Sequence, residues 1–241
     1  MLTEKELYGA MKKGILYGIG VGPGDPELMT LKAVRLCREA DVIAIPAEKK
    51  EGCVAYEIAA GAVPELEEKE ILPIPMPMTK DPAVLKKNHD DGAKKLMAVL
   101  DQGKTVAFLT LGDVTVYSTY LYLHKRVTAA GYEAQLVSGI PSFCAAAARL
   151  GIGLTETSDQ LHVIPATYGV EETLSLPGTK IFMKAGKKLG QVKKALVEGG
   201  FEAYMVENCG METERVFRSA EEIDETAGYY SLLIVKEEQH D

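Results

Sequence analysis

The sequence predicts an α/β protein of two domains, the first with a mainly parallel sheet and the second with a mixed one. Three observations carry this. Short β-branched runs alternate with amphipathic stretches through the first two thirds of the chain, glycines follow strand-like runs ahead of the next helical pattern, and beyond Gly139 the composition changes. The expected division is an N-terminal extension over residues 1–14, a first α/β domain over 15–138 and a second over 139–241.

Ile15–Ile19 reads as a strand that ends in glycines. Asp25 with Pro26 gives a helix N-cap followed by proline at the first helical position, and Met29, Ala33, Leu36 and Ala40 recur at helical spacing as its buried face. A strand at Asp41–Ile45, a helix at Cys53–Val63 and a strand-like Glu70–Leu72 follow. Pro73, Pro75 and Pro77 alternate with Ile74, Met76 and Met78, which removes ladder donors and confines 73–78 to a sheet edge or a loop. Asp81-Pro82 starts another helix with Leu85, Gly92, Leu96 and Val99 on one side, and Gly103 ends it before a strand at Thr105–Leu109. Val116, Tyr120, Leu123, Val127 and Ala130 predict a helix packed along that stripe, closed by Gly131 before a strand at Ala134–Val137. Ser142 is expected to cap a small-residue helix through Leu150, with an irregular link over 151–159. Strands are then expected at Leu161–Ile164, Lys180–Met183, Ala203–Val206 and Tyr229–Val235, with a helix at Leu189–Leu196.

The 241 residues, 46% apolar and 26% charged, carry a formal charge of −8, which is a globular composition and not that of a disordered chain. No basic stripe is present, so nucleic acid is not an expected partner. No apolar run reaches membrane-spanning length and the first residues lack a secretory pattern, so the expected location is the cytoplasm, away from membranes. Cys37, Cys53, Cys144 and Cys209 form no C-x-x-C, and His89, His124, His162 and His240 show no ligand spacing; reduced thiols and no protein-bound metal are expected.

Gly18, Gly20, Gly22 and Gly24 lie between a strand and a helix, yet the dinucleotide fingerprint fails. Counted from Gly18 the third glycine is Pro23, counted from Gly20 it is Asp25, and the second strand ends in Pro46 with no acid for a ribose. A P-loop is also absent, because the position upstream of Gly186-Lys187-Lys188 is Ile181. Four glycines are more than one tight turn needs, so close approach of backbone to a ligand is the expected use. A second glycine turn, Thr110–Thr119 with Gly112 and Asp113, follows a strand at the same type of position; Asp113 is read either as part of a ligand site or as a helix cap.

Three segments then carry a resemblance. Val21–Ala33 (VGPGDPELMTLKA), Leu111–Thr119 (LGDVTVYST) and Ser138–Cys144 (SGIPSFC) look like the tetrapyrrole methyltransferases that use S-adenosylmethionine, and within that family the segment Ile74–Asp81, the TVYST run and GIPSF are most similar to the members that methylate carbon-20 of precorrin-2 or cobalt-factor II in cobalamin synthesis. The resemblance spans about residues 15 to 235. It implies two α/β domains with the cofactor in a cleft between them, usually in a homodimer. Carried over position by position, it implies cofactor contacts at Pro23, Leu111, Gly112, Asp113 and Val116, at Pro141 and Ser142, and at Met183, Tyr204, Tyr230 and Ser231. The family usually has Gly-Asp-Pro where this chain has Gly112-Asp113-Val114, and Pro-Gly-Ile-Pro where it has Ser138-Gly139-Ile140-Pro141.

For that reaction few catalytic side chains are needed, since a sulfonium methyl is displaced in line by an electron-rich carbon. Tyr117 and Asp113 are the candidates to take the carbon-20 proton, by location. The substrate's carboxylates call for local cations, of which Lys49, Lys50, Lys184, Lys187, Lys188, Arg126 and Arg149 are available and Lys184 and Arg149 are favoured. Met76, Met78 and Phe143 are candidate linings for the macrocycle. The alternative is the same fold acting on another tetrapyrrole carbon or on a different acceptor, with a nicotinamide oxidoreductase and a non-catalytic tetrapyrrole-binding module as further rivals.

Overall fold

The computed structural model describes residues 13–165, 169–184 and 188–236. The proposed extension 1–14 therefore lies outside the described residues except for Lys13 and Gly14, and so does Lys187. The chain divides into two compact units, the first ending at Ile140 and the second beginning at Pro141.

The first unit holds strands β1 (Leu16–Gly20), β2 (Val42–Ile45), β3 (Glu70–Pro73), β4 (Val106–Thr110) and β5 (Ala134–Val137), in the order β3-β2-β4-β1-β5 and all parallel. Helices α1 (Leu31–Glu39) and α2 (Val54–Ala62) cover one face, packing on Ile19, Ile43, Ile45 and Leu109. Helices α3 (Pro82–Leu100) and α4 (Tyr120–Ala129) cover the other, packing on Leu16, Val42, Val106 and Phe108. Alternate residues of one strand thus feed two cores, as a sheet buried on both faces requires.

Local chemistry shifts several boundaries. Asp25 does cap a turn, accepting from the Glu27 N–H at 2.8 Å, but that turn is a 3₁₀ helix over Pro26–Leu28; α1 begins only after Thr30, whose hydroxyl oxygen accepts from the Ala33 N–H at 3.2 Å. Met29, Ala33, Leu36 and Ala40 are all buried as their spacing requires. In the stripe ahead of Gly131, Val116 belongs to the loop before α4 and Ala130 is exposed, because the chain is held in turns until Tyr120. Pro73 ends β3 at the sheet edge, and 74–80 continues without regular structure.

Two close contacts hold α4 on the sheet and α3 on the segment that follows β3. A Cβ on Gly18, within β1, would lie 2.1 Å from the Tyr120 ring, and one on Gly92 would lie 2.9 Å from Ile74. Glycine at these positions therefore lets a large buried ring and a helix sit directly on their neighbours. Between the two helices, His89 stacks on Tyr122 with ring centroids 4.6 Å apart and planes 5° apart, and Arg126 pairs with Asp90 at 2.7 Å.

Burial and the nearby Arg126 cation hold the His89 pKa below its usual 6.5, and burial does the same for His124. A histidine whose folded pKa is depressed contributes stability that is complete above the unfolded value and is lost as pH falls below it. Asp90 does not titrate in that window, since Lys86 and Arg126 hold its carboxyl at about 2. The expected result is a Tm that declines between about pH 7.5 and 5.5 and a flatter decline in His89→Phe, which keeps the stack and removes one titrating group. Parallel Tm–pH curves for the two proteins would assign the loss elsewhere.

The second unit holds β6 (Leu161–Pro165), β7 (Thr179–Met183), β8 (Ala203–Glu207), β9 (Arg215–Phe217) and β10 (Ser231–Val235), in the order β6-β7-β10-β8-β9. Only β6 and β7 are parallel; the sheet is mixed. Helix α5 (Ser142–Leu150) packs on the face with Ile181, Val206 and Ile234, and α6 (Val170–Leu174) and α7 (Leu189–Glu198) pack on the face with Phe182, Met205 and Leu233. Ser142 is the first helical residue of α5 and not its cap: Pro141, extended at φ −63° and ψ 143°, takes the cap position, and Gly151 closes the helix at φ +75°.

Candidate functional site

Because every strand of the first sheet is parallel, all its carboxyl ends lie on one edge, where open α/β sheets bind ligands. At the middle of that edge three backbone segments meet. Val21 donates its N–H to the Thr110 carbonyl at 2.9 Å, Gly22 donates to the Gly112 carbonyl at 3.2 Å, and Gly112 donates back to the Gly22 carbonyl at 2.7 Å. The two glycine turns are thereby joined as a short antiparallel bridge. A Cβ on Gly20 would lie 2.5 Å from the Gly139 nitrogen, and one on Gly139 would lie 2.3 Å from the Gly112 oxygen. No side chain fits between these strands' exits.

This corrects the expectation for the first glycine run. Gly18 makes room for the Tyr120 ring, Gly20 for the Gly139 backbone, and Gly22 occupies the left-handed region at φ +80°. Folding itself thus uses three of the four. The open backbone belongs to the other turn: Gly112 has φ +70°, and a Cβ there would have only the Ile140 oxygen within reach, at 4.0 Å. Pro23 is buried beside this bridge in sequence, and Leu111 and Val116 are half-buried on either side of Gly112 and Asp113.

Asp113 is 6% exposed, and both its oxygens are engaged. Oδ2 accepts the Gly139 N–H at 2.9 Å, while Oδ1 accepts the Thr115 N–H at 2.7 Å and the Thr115 hydroxyl. A buried carboxylate satisfied by three donors clamps the turn after β4 to the segment after β5. Asp113 does not cap α4, which starts after Thr119. Tyr117, by contrast, is 45% exposed and sits at φ +49°. An L-residue in that region costs roughly 1–2 kcal/mol, and such outliers concentrate at functional loops.

In the second unit, β10 runs antiparallel to both neighbours, so its start lies beside the ends of β7 and β8. Met183 pairs with Leu232, and Ser231 pairs with Glu207. The residues that follow β7 and β8, Lys184 and Asn208, are both left-handed, at φ +59° and +50°, and the Asn208 N–H donates to the Tyr230 carbonyl at 3.1 Å. Tyr230 is exposed with its ring edge-on to Tyr229, whereas Ser231 is buried and donates its hydroxyl to the Gly228 carbonyl at 2.8 Å. Met183, Lys184, Tyr230 and Ser231 are therefore brought together. Tyr204 is displaced from them: it pairs with Ile234, two residues or about 7 Å from the Met183 level, and its hydroxyl donates to Glu202.

Arg149 in α5 is ion-paired with Glu214, whose other oxygen accepts the Gly210 N–H at 2.9 Å. Its guanidinium fastens the loop after β8 to the helix. Arg126 is likewise occupied by Asp90. One feature escaped the sequence reading altogether: buried Glu207 accepts from Arg215 at 2.6 Å and from the Gly228 N–H at 2.6 Å, with Asp224 on the other side of Arg215. It fixes the turn that delivers Tyr230 and Ser231. The register Glu207–Arg215 would have disclosed it had the short strand β9 been recognised.

A family model described as Tetrapyrrole (Corrin/Porphyrin) Methylases matches residues 15–224. The chain is 36% identical over 228 residues to a protein of Methanocaldococcus jannaschii named as a probable cobalt-precorrin-2 C(20)-methyltransferase, covering 92% of this chain and 95% of that one. It is 34% identical over 235 residues to the cobalamin biosynthesis protein CobIJ of Mycobacterium tuberculosis, where 92% of this chain corresponds to 46% of the relative; the chain thus spans about half the length of that protein. In fold it resembles the uroporphyrin-III C-methyltransferase of Thermus thermophilus complexed with S-adenosylhomocysteine, with a TM-score of 0.64, 22% identity, and 93% and 98% of the two chains covered.

Proposed function

The chain belongs to the tetrapyrrole (corrin/porphyrin) methylases, and from that premise we propose that it transfers the methyl group of S-adenosylmethionine to carbon-20 of precorrin-2 or cobalt-factor II. The observation that carries the acceptor is the end-to-end similarity to a relative named for carbon-20. The Gly112 turn supports the donor, because a Cβ there would meet only the Ile140 oxygen, at 4.0 Å, which leaves room beside the backbone at the carboxyl edge.

In the first unit Pro23, Leu111, Gly112 and Val116 would hold the donor. In the second unit the positions carried over from the resemblance, Pro141 and Ser142 at the start of α5 with Met183, Tyr230 and Ser231, would contribute. The donor, when bound, supplies an electrophilic methyl. What the protein must add is alignment and exclusion of water, since the acceptor carbon is already nucleophilic. Asp113 is a positioning residue in this reading: it holds Gly139 and Thr115, and through them the Gly112 turn. That leaves Tyr117 as the group at this edge whose phenolic oxygen would take the proton displaced from carbon-20 as its own O–H proton passes to solvent, to which the side chain is exposed.

The test is incubation of the pure protein with S-adenosylmethionine and, separately, precorrin-2 and cobalt-factor II without oxygen, followed by mass and NMR of the product. One methyl at carbon-20 is expected, with the preferred acceptor showing whether cobalt precedes methylation. No gain with either acceptor, despite binding of S-adenosylhomocysteine, overturns the carbon-20 assignment. In Tyr117→Phe, kcat is expected to fall about 100-fold, the low end for loss of a general base; an unchanged kcat would mean that solvent takes the proton.

A further inference from the structure

The segment that follows β3 is built as a rigid arm. Its prolines, Pro73, Pro75 and Pro77, fix φ and remove three backbone donors, so the last ladder bond is from the Ile74 N–H to the Ile45 carbonyl at 2.9 Å. The intervening side chains emerge stepwise from the core. Ile74 is 1% exposed, Met76 packs against the same core at half burial, and Met78 is 82% exposed.

Both ends of the arm are anchored. At the base the Asn88 side chain donates to the Pro75 carbonyl at 2.8 Å. At the far end the Asp81 N–H donates to the Thr79 hydroxyl oxygen at 3.1 Å, and the Asp81 carboxylate caps α3 by accepting from Ala83 and Val84. Met78 is therefore held out in solvent by structure on both sides of it. The adjacent Lys80 is exposed, and Asp81 beside it caps the helix through Oδ1.

An apolar side chain held exposed on a stiff, proline-braced backbone has its ordering cost met in advance, which is what a binding element needs. The arm leaves the sheet on the carboxyl edge, where Pro73 is level with Ile45 of β2 and where β2 in turn pairs with β4. Two strand spacings, about 10 Å, separate it from the turn that carries Gly112 and Tyr117. Lys49, exposed in the loop after β2, lies on the intervening strand exit.

We propose that this arm is the acceptor-selecting rim of the carboxyl edge: Met78 lies against the face of a carboxylated tetrapyrrole and Lys80 pairs with one of its peripheral carboxylates. The inference rests on the acceptor class proposed above. A thioether is a soft, adaptable surface for a flat conjugated ring, and a lysine on a fixed backbone is a point charge that discriminates by where a carboxylate falls.

The test titrates cobalt-factor II and, separately, sirohydrochlorin into the whole protein and into Met78→Glu, Lys80→Glu and the control Lys95→Glu, an exposed lysine of α3 with the same charge change. Affinity is read from the absorbance of the macrocycle, and S-adenosylhomocysteine affinity is read by calorimetry. Met78→Glu and Lys80→Glu are expected to weaken macrocycle binding about tenfold or more, with cofactor affinity and the control within about twofold of the parent protein. The Lys80→Glu deficit is expected to shrink between about 0.05 and 0.5 M salt as the carboxylate pairing is screened. Macrocycle binding within about twofold of the parent in both variants overturns the rim while leaving the acceptor class intact. Parent protein that binds a macrocycle through the rim yet adds no methyl at carbon-20 overturns the reaction and keeps the rim, and parent protein that binds neither macrocycle overturns both.

Discussion

Gly139→Ala is expected to lower the Tm by about 6–12 °C and to abolish measurable binding of S-adenosylhomocysteine. The added methyl would stand 2.3 Å from the Gly112 oxygen and 2.7 Å from the Gly20 carbonyl, and all of these are backbone atoms of strand exits that cannot rotate away. Overpacking costs up to about 3 kcal/mol where neighbours cannot yield, and in a chain of this size each kcal/mol moves Tm by about 2–4 °C. The contrast is Gly112→Ala, whose methyl enters open space. Its stability cost is the left-handed strain alone, about 1 kcal/mol, yet it fills the face assigned to the donor and should weaken cofactor binding about tenfold or more. Thermal melts and calorimetry on the two variants separate the roles. Equal affinity in Gly112→Ala and the parent protein would move the donor site away from this turn.

That contrast also shows which part of the site was legible in the sequence. The glycine turns after the first and fourth strands, the parallel order of the sheet and the exclusion of the Pro-Met-Pro-Met segment from a central strand follow from local rules of φ, hydrogen-bond donors and hydrophobic spacing, and the strands formed where those rules place them. What each glycine does was not legible. Gly18 and Gly20 look alike in the sequence, yet one answers to a tyrosine 102 positions later and the other to a glycine 119 positions later. Such demands arise only when distant segments are brought into register. The same limit hid β9 and its Glu207–Arg215 pair, because a three-residue strand carries too little periodicity to be read and its partner is defined by the hairpin alone. Arg149 illustrates the converse: a cation near a candidate site looks available in sequence, and a single acidic residue 65 positions on, Glu214, occupies it.

Asp113 separates a clamp from a base, and two substitutions decide between them. Asp113→Ala removes the acceptor of two backbone N–H groups, those of Gly139 and Thr115, in a position that is 6% exposed. The Gly139 donor is buried and its orphaning costs about 1–3 kcal/mol, whereas the Thr115 N–H belongs to an exposed residue and can turn to water, so a Tm lowered by about 2–12 °C is expected, with cofactor affinity falling as the Gly112 turn loosens. Asp113→Asn keeps an oxygen for Thr115 but turns its NH₂ toward the Gly139 N–H, setting donor against donor, and should lose about 1–3 kcal/mol. A general base gives the opposite pattern. There Asp113→Asn would keep its Tm and its cofactor affinity and lose kcat by about 100-fold or more, with the plateau of the pH–rate profile gone. The geometry favours the clamp, since three hydrogen bonds from its own chain already engage both oxygens of this buried side chain. Melting curves and cofactor titrations that move together in both variants, with kcat at saturating donor falling no more than Tm and affinity explain, are the expected result.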